Sequence, residues 1–396
     1  MSTPHTQQQP ATPIDITGSG IASVAGNHIR ALHGALATGL SGLAAQAERY
    51  AIGDETPLPS PVTAAPLALA GHTLNLQLSE LLLRALIPLT DAIDPQAAPP
   101  ALLILLPLDR TFCARAKRVD PERIRANLIE WLPQLATASI DIQPYTRGAT
   151  AALHTALQQL ETGETKSLLF CGADNLINGL SYNQLANENR LATESHGEGV
   201  VPGAAAGAIR FQRHLDGEDI PLALLGGIGS AEEPHAGKAA EHRLQGAYQA
   251  LTQATEHNPQ LLQQAATLIQ AHSLGTPGER EWHQVVQRLW PVRLTEQQRV
   301  AMMLGEIDAP EPAPSAEPKR YNLNQVTGET GAAALPLQLA LACEHFRYTA
   351  EIARYGFPAP RPALVCEMSD YPRRGALALE PPPPRVNKAR QDKAED

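Results

Sequence analysis

Few side chains of this chain are of a reactive kind, and their spacing narrows the chemistry quickly. The four cysteines, Cys113, Cys171, Cys343 and Cys366, are scattered. They have neither the short intervals of a metal knuckle nor the pattern of a disulfide framework. Cys171 falls in an apolar run expected to be a buried strand, Cys343 in a helix-like pattern and Cys366 in a strand, and thiols so placed are inert packing groups. Cys113 stands in a loop near Arg110, Arg115 and Lys117, cations that favour a thiolate. Glu194, His196 and Glu198 have the donor types of a metal site but read as a solvated loop of mixed charge. The stretch 145–210 holds the most chemistry. There Tyr145-Thr146-Arg147-Gly148-Ala149-Thr150 opens a helix over 151–160 directly after a sharp loop. The free N–H groups and positive dipole end of that helix face whatever the loop holds. Thr146 brings a hydroxyl to this entrance, and Arg147 beside it stays protonated and cannot serve as its base.

The elements that must position these groups follow from pattern. A short strand at 14–17 enters the glycine-rich 18–26, and a helix follows over 28–38. Residues 50–66 read as a loop. Apolar residues at helical spacing predict a helix over 72–93, ended or kinked at Pro88. The run 101–108 predicts a central strand. Asp120-Pro121-Glu122 is a helix start, with Asp as cap and Pro at the first position, and that helix continues to 135. Strands are expected at 140–142, 167–171 and 204–213, with 168–171 apolar throughout and so buried on both faces. Beyond the polar break 216–219 come a strand at 221–228, a helix at 242–255, a helix end and strand within 261–270, and a helix running to 288. A long helix extends from 332 to 354, and strands at 363–368 and 376–379 close the chain. Strand and helix alternate twice over, which argues an α/β fold with helices on both sheet faces.

Composition sets the outer bounds. The 396 residues suit one large double-lobed domain or two ordinary ones, and 43% apolar content is enough for a full core. Aromatics are only 4%, so that core is built from Ala, Leu, Val and Ile. A net charge of −10 with dispersed basic residues excludes nucleic acid as a partner. No apolar run is long enough for a membrane span, and the start of the chain lacks an apolar signal core. A reducing, cytoplasmic setting is expected. Residues 1–13 and the Pro-rich, charged tail 383–396 are expected to be disordered, and the Pro/Ala/Glu-rich 308–319 reads as a flexible insertion. The segment Gly18-Ser19-Gly20 lacks the third glycine and the later acidic residue of a dinucleotide fingerprint. No cofactor and no metal are expected.

Several motifs resemble those of the thiolase superfamily, and the β-ketoacyl synthases in particular, over about 14–382. Thr17-Gly18-Ser19-Gly20 with Ser23 and Gly26 is similar to the opening motif after their first strand. Ala151-Ala152-Leu153-His154 matches the helix behind their nucleophile, Leu168 to Asp174 the strand after it, and Val201-Pro202-Gly203 half of a later turn. Ala271-His272-Ser273-Leu274-Gly275-Thr276-Pro277-Gly278-Glu279 resembles the loop that carries their first catalytic histidine. The resemblance implies a thiolase-like five-layer α-β-α-β-α fold of two similar βαβ-type halves, here 14–215 and 216–382. In such a fold the helix entrances of the two halves, 146–150 and 328–331, converge on one site. It also implies a homodimer in which the strand at 166–171 pairs with its twin.

Carried over residue by residue, the resemblance places Thr146 in the nucleophile slot, where the family has Cys. It places His272 in the first histidine slot and Glu329, within Gly328-Glu329-Thr330-Gly331-Ala332, in the second. Arg147, Gly148, Thr276 and Gly328 line the same site, and 369–375 stands where the family has a flexible gating loop. A ketosynthase needs a thiolate at the helix entrance and two histidines for the oxyanion and decarboxylation, and one of these three positions is kept. The chain therefore reads as a degenerate ketosynthase-like subunit that binds a protein partner: an acyl carrier protein, a synthase or a secreted effector. In that reading Thr146 caps its helix, and Arg147 and Glu329 form a buried ion pair. The alternative is an acyltransferase or thioesterase acting through Thr146, His272 and Glu329.

Overall fold

The computed structural model describes residues 13–52, 58–91, 99–214, 221–236, 242–243, 245–271, 275–291, 295–306, 317–369 and 371–383, with only the backbone of 275–277. His272, the start 1–12, most of the insertion at 308–319 and the tail beyond 383 lie outside the described residues.

The first half runs β1 (Ile14–Ala22), α1 (Ile29–Thr38), β2 (Ala44–Tyr50), β3 (Ser60–Ala64), α2 (Leu74–Thr90), β4 (Ala101–Leu106), α3 (Pro121–Trp131), β5 (Ser139–Pro144), α4 (Ala149–Glu161), β6 (Ser167–Asn175), α5 (Gly179–Asn187) and β7 (Ala204–Arg213). The second runs β8 (Ala223–Glu232), α6 (Gly246–Ala254), α7 (Gln260–Gln264), β9 (Thr267–Gln270), α8 (Gly275–Leu289), α9 (Glu296–Met303), β10 (Lys319–Asn322), α10 (Asn324–Thr327), α11 (Ala334–Ala353), β11 (Ala363–Glu367) and β12 (Arg373–Glu380). Strand order is β5-β4-β6-β7-β1 in the first half and β10-β9-β11-β12-β8 in the second. The two orders are the same when β1 is matched with β8, β4 with β9, β5 with β10, β6 with β11 and β7 with β12. Each set has three parallel strands beyond an antiparallel pair. Where β1 meets β8, three antiparallel residue pairs join the two sets.

Alternation along the strands builds the layers. On β4, Leu102, Ile104 and Leu106 join an outer core with Leu78, Leu82 and Leu86 of α2 and Ile124 and Leu128 of α3. Leu103 and Leu105 turn the other way, into a central core with Leu153 and Leu157 of α4. On β11, Leu364 and Cys366 face α6 and α8, while Val365 joins the same central core. The result is helix, sheet, helix pair, sheet, helix, with α4 and α11 enclosed between the two strand sets. A strand that is apolar on both faces, as β4 and β6 are, is the local signature of that position. Gln338, polar in the buried centre of α11, is satisfied by donating to the carbonyl of Cys366 at 3.0 Å.

Three expectations change. The loop read at 50–66 contains β3, which pairs antiparallel with β2 and shields α5 through Val62 and Ala64; the prolines at 59 and 61 hid it. Strand β1 runs on through its glycines to Ala22. Strand β6 cannot pair with a twin as the resemblance implied, because β4 and β7 already occupy both its hydrogen-bonding edges. The open edge of the first half is β5, whose one neighbour among the described strands is β4.

Candidate functional site

The two halves meet where the central helices begin. Helix α4 starts after a tight turn at Tyr145–Arg147, with Gly148 at φ 97° as its N-cap. No side chain within the turn caps it. The cap comes from the other half: Glu367, last residue of β11, accepts the N–H of Ala149 on Oε1 and that of Thr150 on Oε2, both at 2.8 Å. A carboxylate here meets two orphan donors and the positive end of the helix dipole. Desolvation nevertheless raises the pKa of Glu367, more than the two N–H groups and Thr150 lower it.

The turn before α11 is held in a corresponding way. Asp174, last but one in β6, is fully buried and accepts the N–H of Ala332 at 3.3 Å. It also takes a two-pronged contact from the buried Arg115, Nε to Oδ1 at 2.7 Å and Nη2 to Oδ2 at 2.6 Å. Two glycines make this approach available. A Cβ on Gly172 would meet the carbonyl oxygen of Ala332 at 2.0 Å, and one on Gly331, at φ 46°, would meet Oδ2 of Asp174 at 2.1 Å.

Between these helix starts lies a cavity of about 180 Å³, bounded in part by Arg115, Tyr145, Ala149, Glu329, Glu367 and Tyr371. Of the two helix entrances expected to converge, 146–150 contributes Ala149 to this lining and 328–331 contributes Glu329 and Gly331. Phe112, 44% exposed at the mouth, meets the ring of Tyr371 edge-on at 5.1 Å, and Tyr371 meets Tyr145 edge-on at 5.6 Å. The two hydroxyls hydrogen-bond at 3.0 Å, and Arg115 reaches Tyr145 at 3.4 Å. Tyr371 comes from the segment 369–375, for which the sequence resemblance implied a gating-loop position. Burial pushes the pKa of both phenols well up.

The sequence-derived slots fare unequally. Thr146 is buried and turned away from the helix end, donating Oγ1 to Oδ2 of Asp109 at 3.1 Å; it is not the cap of α4. The backbone N–H of Thr111 and, less strongly, the Thr146 hydroxyl pull the Asp109 pKa down against a smaller opposing effect of burial, which makes this carboxylate a weak base. Glu329 lines the cavity, accepting from Gly331 N–H on Oε1 and Asn324 Nδ2 on Oε2, both at 3.1 Å. Its backbone pairs with the half-matched turn, donating to Val201 at 2.7 Å and accepting from Gly203 at 3.0 Å. The expected Arg147–Glu329 ion pair is absent, because Arg147 points into solvent. Gly328, at φ 62°, approaches the carbonyl of Val201 too closely for any side chain. Thr276 lies in the first turn of α8, with its side chain outside the described residues, as is His272.

Cys113 corrects a second expectation. Its sulfur is buried between the hydroxyls of Tyr371 at 3.6 Å and Tyr145 at 3.7 Å. Desolvation raises its pKa, outweighing the nearby Arg115 that pulls it down. Cys343 and Cys366 are pushed up to about 12 by burial, and burial raises Cys171 as well. Among the described residues no group of three His, Cys, Asp or Glu side chains could hold a metal ion. Sequence reasoning missed Glu367, Tyr371, Asp109 and the Arg115–Asp174 pair. Only Asp174 left a trace, as the end of a motif-like strand.

No known protein family and no curated protein matches the chain in sequence. Solved structures do match over nearly its whole length. A ketosynthase from module 6 of the bacillaene synthase of Bacillus subtilis 168 superposes with TM-score 0.66 at 14% identity, covering 97% of this chain and 76% of that one. The oxazolomycin ketosynthase domain of Streptomyces albus JA3453 gives 0.69 at 14%, covering 95% and 75%. The chain has the ketosynthase fold. A chain of the complex of the ketosynthase ApeO with its chain length factor ApeC from Xenorhabdus doucetiae gives 0.64 at 13%, covering 95% of this chain and all of the matched one. No helix among the described residues is long and apolar enough to cross a membrane.

Proposed function

We propose that this ketosynthase-fold chain is non-catalytic in condensation and acts as a binding or adaptor subunit for a protein partner. The observation that carries the reading is Glu367 on the N–H groups of Ala149 and Thr150. An activated thiolate needs the positive end of this helix to lower its pKa. Here the chain's own carboxylate uses that end, Thr146 in the nucleophile slot donates to Asp109 instead, and Cys113, buried against Tyr145 and Tyr371, has a raised pKa. Tyr371 further narrows the place where an acyl chain would lie. Neighbours of the same fold include a ketosynthase solved with its chain length factor and one solved with an acyl-carrier protein. They supply the analogy for a carrier protein or synthase as partner; a secreted effector is the other candidate. The chain acts in the cytoplasm as a homodimer, for which the open edge of β5 is the available surface.

The test has two arms. Incubation with acyl-thioesters, followed by intact-protein mass spectrometry, should give no acyl adduct and no turnover above background. Co-purification from the native cell should recover carrier protein or synthase if the partner lies in acyl metabolism, or a secreted protein if it does not. The second reading, hydrolysis or transfer through Thr146, is favoured only by the Thr146–Asp109 hydrogen bond. Turnover that disappears in Thr146→Ala would establish it and overturn the first.

A further inference from the structure

The two halves repeat each other, and the repetition exposes one difference. Asp174, last but one in β6, holds the turn that leads into α11; Glu367 ends β11 and holds the start of α4. Since β6 matches β11 in the strand order, these carboxylates are counterparts. Asp174 has a guanidinium, Arg115, on both oxygens. Glu367 makes no ion pair with any Lys, Arg or His among the described residues, and it faces the cavity. Of the cations that line the cavity, Arg115 is thus neutralised by Asp174, and Arg190 pairs with Glu188 at 3.1 Å. Among the described residues the cation that acts on Glu367, Arg374, is itself paired with Glu281 at 2.7 Å, so this carboxylate is drawn out of water without a countercharge of its own, which is costly unless something completes it. The rings of Phe112, Tyr371 and Tyr145, in consecutive edge-on contacts, line the same cavity. Aromatic faces beside a carboxylate are the surroundings that favour an organic cation over water or an anion.

We propose that the cavity between the starts of α4 and α11 binds an organic ammonium group, with Glu367 as its countercharge and the rings of Phe112 and Tyr371 as its apolar wall. The inference goes beyond the adaptor reading and does not depend on which protein is the partner. Glu367 does two things at once in this account. It satisfies the helix start, which would otherwise draw anions, and so turns an anion-favouring position into a cation-favouring one. Anionic ligands are excluded for the same reason.

The probes are tetramethylammonium chloride and methylammonium chloride, with sodium acetate at the same ionic strength as the anionic counterpart, titrated into the full chain at pH 8 and followed by calorimetry. At least one ammonium should saturate in the millimolar range, and acetate should not bind. Glu367→Gln and Tyr371→Ala should each weaken the ammonium about tenfold or more. The two ammonium ions separate the contributions: preference for the methylated one assigns most of the binding to the rings, preference for the other to the carboxylate. In the wild-type protein, nuclear Overhauser contacts from the ligand methyl groups to the Phe112 and Tyr371 rings locate the site without any variant. Absence of saturation by both ammonium ions, equal binding of acetate, or contacts to other rings only would overturn the proposal. So would an unchanged affinity in a folded Glu367→Gln protein.

Discussion

Asp174, last but one in β6, holds the turn into α11, and Glu367, last in β11, holds the start of α4, so that each grips the central helix entrance of the other half. This exchange of caps ties the halves together at the centre of the molecule. It also explains why the site cannot be read within either half. The cavity is lined by residues from both: Tyr145 and Arg115 from one, Glu329, Glu367 and Tyr371 from the other.

Removing one side of the buried ion pair should be expensive. Arg115→Met leaves the Asp174 carboxylate fully buried with backbone donors alone, and loss of one partner of such a pair costs about 3–5 kcal/mol. Urea denaturation should show that loss. The double variant Arg115→Met/Asp174→Leu should recover part of it, since no buried charge then remains. A single variant as stable as the wild type would show that solvent reaches the pair.

The contact between Gly172 and Ala332 leaves no room for a methyl group. Gly172→Ala places a Cβ 2.0 Å from a backbone carbonyl oxygen, so β6 or the turn before α11 must shift. Overpacking of this kind costs about 1–3 kcal/mol or more. The expected readout is a lower denaturation midpoint together with altered near-ultraviolet dichroism from Tyr145 and Tyr371. An unchanged midpoint would mean the two segments are further apart than described.

A histidine pair should govern the acid limb of stability. His33 Nε2 and His345 Nδ1 lie 3.4 Å apart, and the other nitrogen of His345 meets the Thr267 hydroxyl at 3.0 Å. Burial, then the charge of His33 and of Lys319, lowers the His345 pKa from 6.5 to about 4. The folded state therefore binds fewer protons than the unfolded one in that interval. Its contribution is present above pH 6.5 and is lost as pH falls through about 4. His345→Gln should flatten the fall in stability over this window by about 2 kcal/mol, allowing for partial exposure. An acid limb of the same slope in the variant would contradict this.

Thiol chemistry offers a direct test of the inert cysteines. All four are buried and have raised pKa values. In the native protein at neutral pH none should react with iodoacetamide on the time scale of an activated thiolate, whereas all four should react once the chain is unfolded. Fast modification of Cys113 alone would show that the tyrosine pair opens.

The sequence by itself determined the α/β alternation, the two-half order and the nature of the core. Apolar runs such as that of β4 and the spacing of α11 are local patterns with one stable reading each. It also determined that a thiol is missing from the helix entrance, since that is a matter of residue identity. Tertiary structure decided the site. Glu367 and Asp174 are separated by almost half the chain and acquire their roles only because the halves pack with their central helices side by side. Glu367 lies in no pattern that marks it, because its partners are backbone N–H groups, and the strand motif that ends at Asp174 says nothing of its partners Arg115 and Ala332. The same holds for Cys113. Its sequence neighbours are cations that favour a thiolate, but folding turns it between two buried phenols, and loss of water outweighs those charges.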